Sequence, residues 1–551
     1  MQPDERHRRD PTPNRTLRGL LAETEWTQEA FARAIGRLGA EAGVRFRYDR
    51  TSVAHWLRGS RPSPRVQDFI AEALSRRLGR PVGVTQLGMG DGRSGGPGPR
   101  PTGGGDEAPA RLYVPQGTAG PARPADQLAA LTAAVVGPPR ADSPPPAPYQ
   151  LTLLTPPGLS AAGDVRTTST GTASSSAASG NSPVTPSTSP TGSPRPPVSG
   201  RRSAPAPGRG TSIGTEPTET PEPLRPRPPR ALSPSLPRGG RPARRTTPDE
   251  VASVREHVRF FAQQADRHGG GHIRTPLAAC LAGLVRRLRT GGDGPHHPQL
   301  VAGAARLSYL LARVYADEQR HGLAQRTFLT AAELAEEGGD PEGVALVRRA
   351  LSSQAYQLGH RRQSLALAEA ACETAPADVA PSARAFLCAG LAVAQAAEGE
   401  RHRALAALRR AEHELARAPA DLTTGPESPD GEPVGAYQDA ALHYQAGQVR
   451  AALGDRDGAV RELRSSLRSR PEGESRSRAL SEAELAELLL SQGRLEEACS
   501  AWQGFLEDSA LVRSGRARHA RDRMPRLLRP YAKERCVQVL LTRAGLPLGR
   551  L

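Results

Sequence analysis

The stretch Asp49-Arg50-Thr51-Ser52-Val53-Ala54-His55-Trp56-Leu57-Arg58-Gly59 reads as a complete short helix with its own start and stop. Asp49 is an N-cap whose carboxylate can accept from the amides of Thr51 or Ser52, and Gly59 suits the left-handed residue after a helix ending at Arg58. Val53, Trp56 and Leu57 fall at i, i+3 and i+4 and form a buried stripe. Arg50, Thr51, Ser52 and His55 are left on the other side. Those four are side chains of the kind that hydrogen-bond to base edges in a major groove.

Working outward, Asn14 caps a helix in which Leu17, Leu20 and Leu21 form an apolar face. Thr27 caps a second helix, opened by Gln28, with Ala30, Phe31, Ala34, Ile35 and Leu38 at helical spacing until about Ala42 and Gly43 as its stop. Val44 to Tyr48 reads as an extended, strand-like connector. After Gly59, Ser63-Pro64 opens a helix whose face is Val66, Phe69, Ile70, Ala73, Leu74 and Leu78, with Gly79 after it. Thr85 caps one further turn.

Charge supports a polyanion as the partner of this region. The net charge of +17 divides into an excess of 6 over residues 1–90, 8 over 91–246 and 3 over 247–551. Lys533 is the only lysine, so arginine supplies the rest of the basic charge, as in GC-rich genomes. From Arg33 to Arg65 there are eight arginines against Glu41 and Asp49, the footprint expected where a polyanion docks.

Short helices, Thr-Gln-x-x-x-Ala opening the second and Trp-x-Arg-Gly ending the third, resemble the XRE-type, lambda-repressor-like helix-turn-helix domain over roughly residues 14–80. The resemblance implies that Gln28 holds phosphate, that Arg50, Thr51, Ser52 and His55 face bases, and that Arg58 and Arg61 sit near the backbone. Arg45 and Arg47 add phosphate contacts. The sequence departs from the family in the thirteen residues, Gly36 to Tyr48, that separate Ile35 from Asp49. A longer second helix and the strand-like Val-Arg-Phe-Arg-Tyr absorb them.

Residues 91–246 are rich in Gly, Pro, Ser and Thr and hold too few large apolar residues to offset chain entropy, so a disordered linker is expected there, as is a disordered tail over 1–13. Leu128 to Val136 and Tyr149 to Leu154 are apolar islands that could dock on a partner or on the C-terminal repeats. Gly90-Asp-Gly92-Arg-Ser-Gly95 matches a dinucleotide fingerprint in letters only: it follows no strand and opens no helix.

Over 247–551 the pattern becomes continuous amphipathic helix with short turns. A small residue, a large or small apolar one four later, and a small or aromatic one seven later recur at Ala324/Phe328/Ala331, Ser364/Ala368/Ala371, Ala404/Leu408/Ala411, Ala459/Leu463/Ser466 and Ala498/Trp502/Phe505. The spacing is about 40 residues, longer than the roughly 34 of the tetratricopeptide repeat (TPR) that the pattern resembles. A leading helix pair is expected at Val251 to Ala265 and Thr275 to Leu288, and a terminal cap at Pro525 to Ala544.

No catalytic spacing, cofactor motif or metal site emerges. His268-Gly-Gly-Gly-His272 reads as a turn between helices rather than a metal-binding face. His321, His360 and His402 recur at inter-helix turns beside arginines, where a cation suits a helix C-terminus. The five cysteines are scattered singly, without C-x-x-C spacing, as suits thiols in a reducing cytoplasm. No signal peptide is evident, and the longest apolar run, Leu128 to Val136, is too short to span a bilayer.

The expectation is an all-α protein: a helix-turn-helix domain at 14–90, a disordered linker at 91–246, and an α-solenoid of TPR-like hairpins at 247–551. This arrangement resembles the helix-turn-helix TPR transcriptional regulators common in actinomycetes. It implies a non-enzymatic, sequence-specific DNA-binding regulator, cytoplasmic and on the nucleoid when bound to DNA. The repeats would take a protein or peptide partner or form a homodimer, with no cofactor, metal or membrane involved. The alternative is a TPR adaptor whose N-terminal domain does not bind DNA.

Overall fold

The computed structural model describes residues 12–89, 123–136, 147–154, 245–290, 294–418 and 437–545. Among these residues there are nineteen α-helices and no strand.

The N-terminal bundle comprises α1 (Arg15–Glu23), α2 (Gln28–Glu41), α3 (Arg50–Leu57) and α4 (Pro64–Leu78), followed by a 3-10 turn at Val84–Leu87. The caps fall where the sequence places them. Asn14 accepts from the Leu17 amide, Thr27 from Ala30 and Asp49 from Ser52, while Gly79 ends α4 in the left-handed region at φ 65°. The last turn differs: Gly83, not Thr85, caps it, and Gln86 Oε1 accepts from the Gly83 amide. Leu17, Phe31, Ile35, Val53, Ile70, Leu74 and Leu87 are fully buried together.

Two islands inside the segment expected to be disordered are ordered and packed. They are α5 (Pro124–Val136) and residues 147–154, the latter ending in a 3-10 turn at Leu151–Leu154. Leu128 and Tyr149 are almost wholly buried in the core of the repeats, which explains why these stretches hold structure that their surroundings in sequence do not suggest. Asp126 pairs with Arg289 at 2.9 Å, and Gln127 bonds Glu333 and Thr330. The remainder of 91–246, apart from residues 245 and 246, and the tail up to residue 11 lie outside the described residues.

The repeats open with α6 (Pro248–His268) and α7 (Gly270–Arg289). Five hairpins follow: α8 (His297–Asp317) with α9 (His321–Glu337), α10 (Pro341–Gln357) with α11 (Arg361–Thr374), α12 (Pro381–Ala397) with α13 (Arg401–Ala416), α14 (Asp439–Ala452) with α15 (Arg456–Ser469), and α16 (Ser475–Ser491) with α17 (Leu495–Asp508). In each, three residues join the two helices and the middle one is left-handed. Glycine takes that place at 359, 399, 454 and 493, and Gln319 takes it in the first hairpin at φ 62°. The repeating small residues Ala324, Ser364, Ala404, Ala459 and Ala498 are all at most 1% exposed. With no bulk beyond Cβ or Oγ, they let each second helix close against its partner.

The terminal cap differs from expectation. It consists of α18 (Gly515–Leu528) and α19 (Arg535–Arg543), so Pro525 sits within a helix rather than opening one. The glycine run after His268 also differs: only Gly269 (φ 81°) makes the turn, and Gly270 and Gly271 begin α7. The chain before α18 lies against this turn, with the Arg513 amide donating to His268 O and the Gly271 amide to Arg513 O, both at 2.9 Å. A Cβ at Gly269 would stand 2.7 Å from Arg513 O. Asp317 of α8 meanwhile binds Arg476 of α16 at 2.6 Å and Ser514 at 2.9 Å. The array thus returns on itself, and the first helices of its hairpins line most of a half-open cavity of about 800 Å³.

Candidate functional site: the outer face of the N-terminal bundle

Helix α3 is held from beneath and exposed above. Val53, Trp56 and Leu57 are buried, and Arg50, Thr51, His55 and Arg58 are exposed. A capping box fixes its start: Asp49 Oδ1 accepts from the Ser52 amide and the Ser52 hydroxyl, both at 2.8 Å. Those bonds hold the Asp49 carboxyl below the usual carboxylate range, the Ser52 amide contributing most. Ser52 thus donates its hydroxyl hydrogen to Asp49 Oδ1 and its oxygen accepts from the Asp49 amide at 3.4 Å, which leaves it one acceptor lone pair for a ligand. Arg58 Nε donates to Ala54 O at 3.2 Å, folding that guanidinium partly back on its own helix.

The connector solves the spacing problem. Because α2 runs on to Glu41, the link to Asp49 is extended chain that alternates inward and outward. Val44, Phe46 and Tyr48 pack on the core, Phe46 edge-on to Phe69 at 4.8 Å and Tyr48 edge-on to Trp56 at 5.1 Å. Period-two alternation then turns Arg45 and Arg47 outward, and both are exposed. Gln28 is half-buried at the start of α2, and Arg61 is exposed just beyond α3.

Four of the bundle's five glutamates are paired with arginines. Arg76 bridges Glu41 at 2.9 Å and Glu72 at 2.7 Å, Arg80 binds Glu23 at 2.6 Å, and Glu29 pairs with Arg33 at 2.7 Å. Arg77 donates to Thr24 O and lies over the Trp26 ring. Apart from the capping Asp49, the surface built from Arg45, Arg47, Arg50, Thr51, His55 and Arg58 thus carries basic and hydroxyl groups.

A second contact region could not be read from the sequence. Besides its apolar stripe, α4 buries Gln67, Glu72 and Ser75. Glu72 Oε1 lies 3.2 Å from His360 Nε2, and the Tyr149 ring stacks on His360 at 5.4 Å. Residues 147–154 fill the seam: Gln150 exchanges two bonds with Gln325, and Gln363 donates to Leu154 O. The only foreshadowing is the apolar character of Tyr149 to Leu154. The bundle therefore meets α9 and the start of α11 through the side of α4, with residues 147–154 between them.

The histidines correct the sequence reading. His321 and His360 stand at the starts of α9 and α11, not at helix C-termini, and both are buried. Burial pulls the His321 imidazole down to about 4, so it is neutral at physiological pH instead of a capping cation. His402 lies in the first turn of α13 and is exposed. The His268 and His272 rings are 5.9 Å apart, and the described residues contain no cluster of three or more metal-ligating side chains. No helix among them is long and apolar enough to cross a membrane.

The described residues define an all-helical protein in which a small N-terminal bundle is docked on an array of helical hairpins. Residues 17–90 match the family described as the SP15 N-terminal domain. Among solved structures, BtubC (BKLC) from P. vanneervenii is similar at 18% identity with a TM-score of 0.29, over 46% of this chain and 92% of that one. A chain of the APC/C hetero-tetramer Cut9-Hcn1 is similar at 16% identity with a TM-score of 0.28, over 53% of this chain and 48% of that one. No curated protein sequence matches the chain.

Proposed function

We propose that the N-terminal bundle binds duplex DNA, with α3 in the major groove, and that the protein is a transcriptional regulator whose TPR-like repeats serve dimerisation or the sensing of a partner. The observation that carries the reading is the exposed face of α3 and its connector, where arginine, threonine and histidine point outward while the neighbouring glutamates are held by Arg76, Arg80 and Arg33. In this reading Arg50, Thr51 and His55 contact bases, with Ser52 as an acceptor. Gln28, Arg45, Arg47, Arg58 and Arg61 contact phosphate. The protein then works in the cytoplasm, on the nucleoid when bound.

A second reading, an interaction adaptor without DNA binding, draws support from the buried contact of α4 with α11, which makes the bundle part of the repeat scaffold. Selection of duplexes from a randomised pool by the full-length chain separates the two. The DNA reading expects an enriched sequence to which Arg50→Ala and His55→Ala each bind more weakly, by about 1–3 kcal/mol per base-reading side chain removed. No enrichment, or enrichment that both variants share with wild type, sinks it in favour of the adaptor.

A further inference from the structure

The cavity lined by the repeats contains a charge that no carboxylate among the described residues pairs with. Of the six arginines that line it, Arg470 is paired with Glu474, Arg476 with Asp317, and Arg313 with Asp266 at 3.3 Å; Arg516 lies by Tyr444 and Glu484, and Arg267 beside Gly473. Arg349 pairs with no carboxylate among the described residues. Its guanidinium lies over the Phe386 ring at 3.8 Å and gives one bond to Ser353. Burial lowers its pKa and outweighs Tyr309 and Tyr437, which raise it, while the like charge of Arg313 adds a smaller lowering.

Two buried donors in this neighbourhood are left without acceptors, Arg349 Nε and Arg313 Nη1. Buried N–H groups of a cation normally find a partner, and a guanidinium presents them in a geometry suited to oxyanions. Space for one is the cavity itself, which both arginines line; Arg349 is packed against Gly390, where a Cβ would stand only 2.9 Å from Nε. The rest of the wall is polar and aromatic, with Tyr356, Tyr444, Gln445 and Gln448 among its residues. Its size suits a ligand of nucleotide dimensions.

We propose that this cavity is a binding site for a phosphate-bearing small molecule, with the phosphate held between Arg349 and Arg313. Phosphate fits because Arg313 has one carboxylate, Asp266, and Arg349 has none among the described residues, so two like-charged guanidiniums call for an acceptor with more than one negative charge and several oxygens. The inference specifies the sensing role proposed for the repeats and rests on that part of the reading, not on DNA binding. A link to the bundle is short. Ser352 and Ser364, both on the cavity wall, bond to each other, and Ser364 is four residues from His360 at the seam with α4.

Calorimetry on the full-length chain tests it with pyrophosphate, AMP and citrate as probes. Three proteins are compared: wild type, Arg349→Met, which keeps the bulk and removes the charge, and Gly390→Ala, whose methyl presses on Nε and shifts the guanidinium while leaving the charge. Pyrophosphate or AMP binds wild type and loses at least about tenfold in affinity in both variants, whose helical circular dichroism stays unchanged. AMP tighter than pyrophosphate assigns an organic phosphate, and equal affinity assigns the phosphate group alone. The proposal is overturned if neither phosphate probe binds at millimolar concentration, if citrate alone binds, or if both variants bind as wild type does. Duplex binding by ligand-free Arg349→Met equals that of wild type, so failure here and failure of the DNA reading are told apart.

Discussion

The outer face of α3 and the inner face of the repeats are both rich in arginine, and they use it in opposite ways. On α3 and its connector, Arg45, Arg47 and Arg50 are exposed and the nearest glutamates are held by other arginines. Inside the repeats, Arg313, Arg470 and Arg476 reach across to carboxylates on other turns or other helices, while Arg349 lies over the Phe386 ring with no carboxylate partner among the described residues. In a chain whose basic residues are nearly all arginine, the number of arginines says little. Location and pairing separate an exposed, un-neutralised surface from a scaffold that holds itself together.

The contrast breaks most visibly at Asp317. Replacing it with Ala strips Arg476 and Ser514 of their partner in a buried setting and should cost about 3–5 kcal/mol, read by chemical unfolding. Burial pushes the Asp317 carboxyl up, but Arg476, Arg516 and Ser514 together bring it below its usual value of 3.8. A depressed carboxyl stabilises fully above the unfolded value and loses that contribution as pH falls through the folded one. Acid unfolding below about pH 4 should therefore be less steep in the variant. Arg50→Ala, on the outer face, should change stability by less than about 0.5 kcal/mol and act on DNA binding alone.

His321 gives the next largest effect. With its pKa near 4 when folded and near 6.5 when unfolded, the unfolded chain binds the proton first as pH drops. Wild type should lose roughly 3 kcal/mol between pH 6.5 and 4, and His321→Gln should keep most of it. An identical pH profile in the two proteins would mean that the imidazole is not held neutral. Within the bundle, Asn14→Ala removes the cap on the Leu17 amide and the bond to Leu87 O, a loss of about 1–2 kcal/mol by thermal melting. Arg33→Ala breaks only an exposed i,i+4 pair with Glu29 and should cost less than about 0.5 kcal/mol.

Local signals carried much of this architecture. Asn14, Thr27, Asp49 and Gly79 marked helix ends because capping is written within four residues of chain. The small residues at 324, 364, 404, 459 and 498 marked the hairpins because close helix packing admits nothing larger. Bonds between distant segments left no such trace. Glu72 and His360 are 288 residues apart and look like ordinary polar residues on helices, and Asp317 gives no hint of Arg476 or Ser514. The left-handed turn at Gln319 was hidden for a different reason: the position usually announces itself by glycine and here does not. Likewise Ser52 belongs to a polar face by spacing, and only the geometry shows its hydroxyl bonded to Asp49. The arginine left over at 349 could be recognised only once every nearby carboxylate had been placed.

The outward, uncompensated face of α3 is the centre of this account, and its most direct test is the affinity of the full-length chain for its selected duplex and for a scrambled one at one salt concentration. Wild type should prefer the selected duplex by about a thousandfold or more, as specific DNA binders do. The double variant Arg50→Ala, His55→Ala should lose most of that preference yet keep the phosphate-driven binding to both. Equal affinity of wild type for the two duplexes, or an undiminished preference in the double variant, would contradict it.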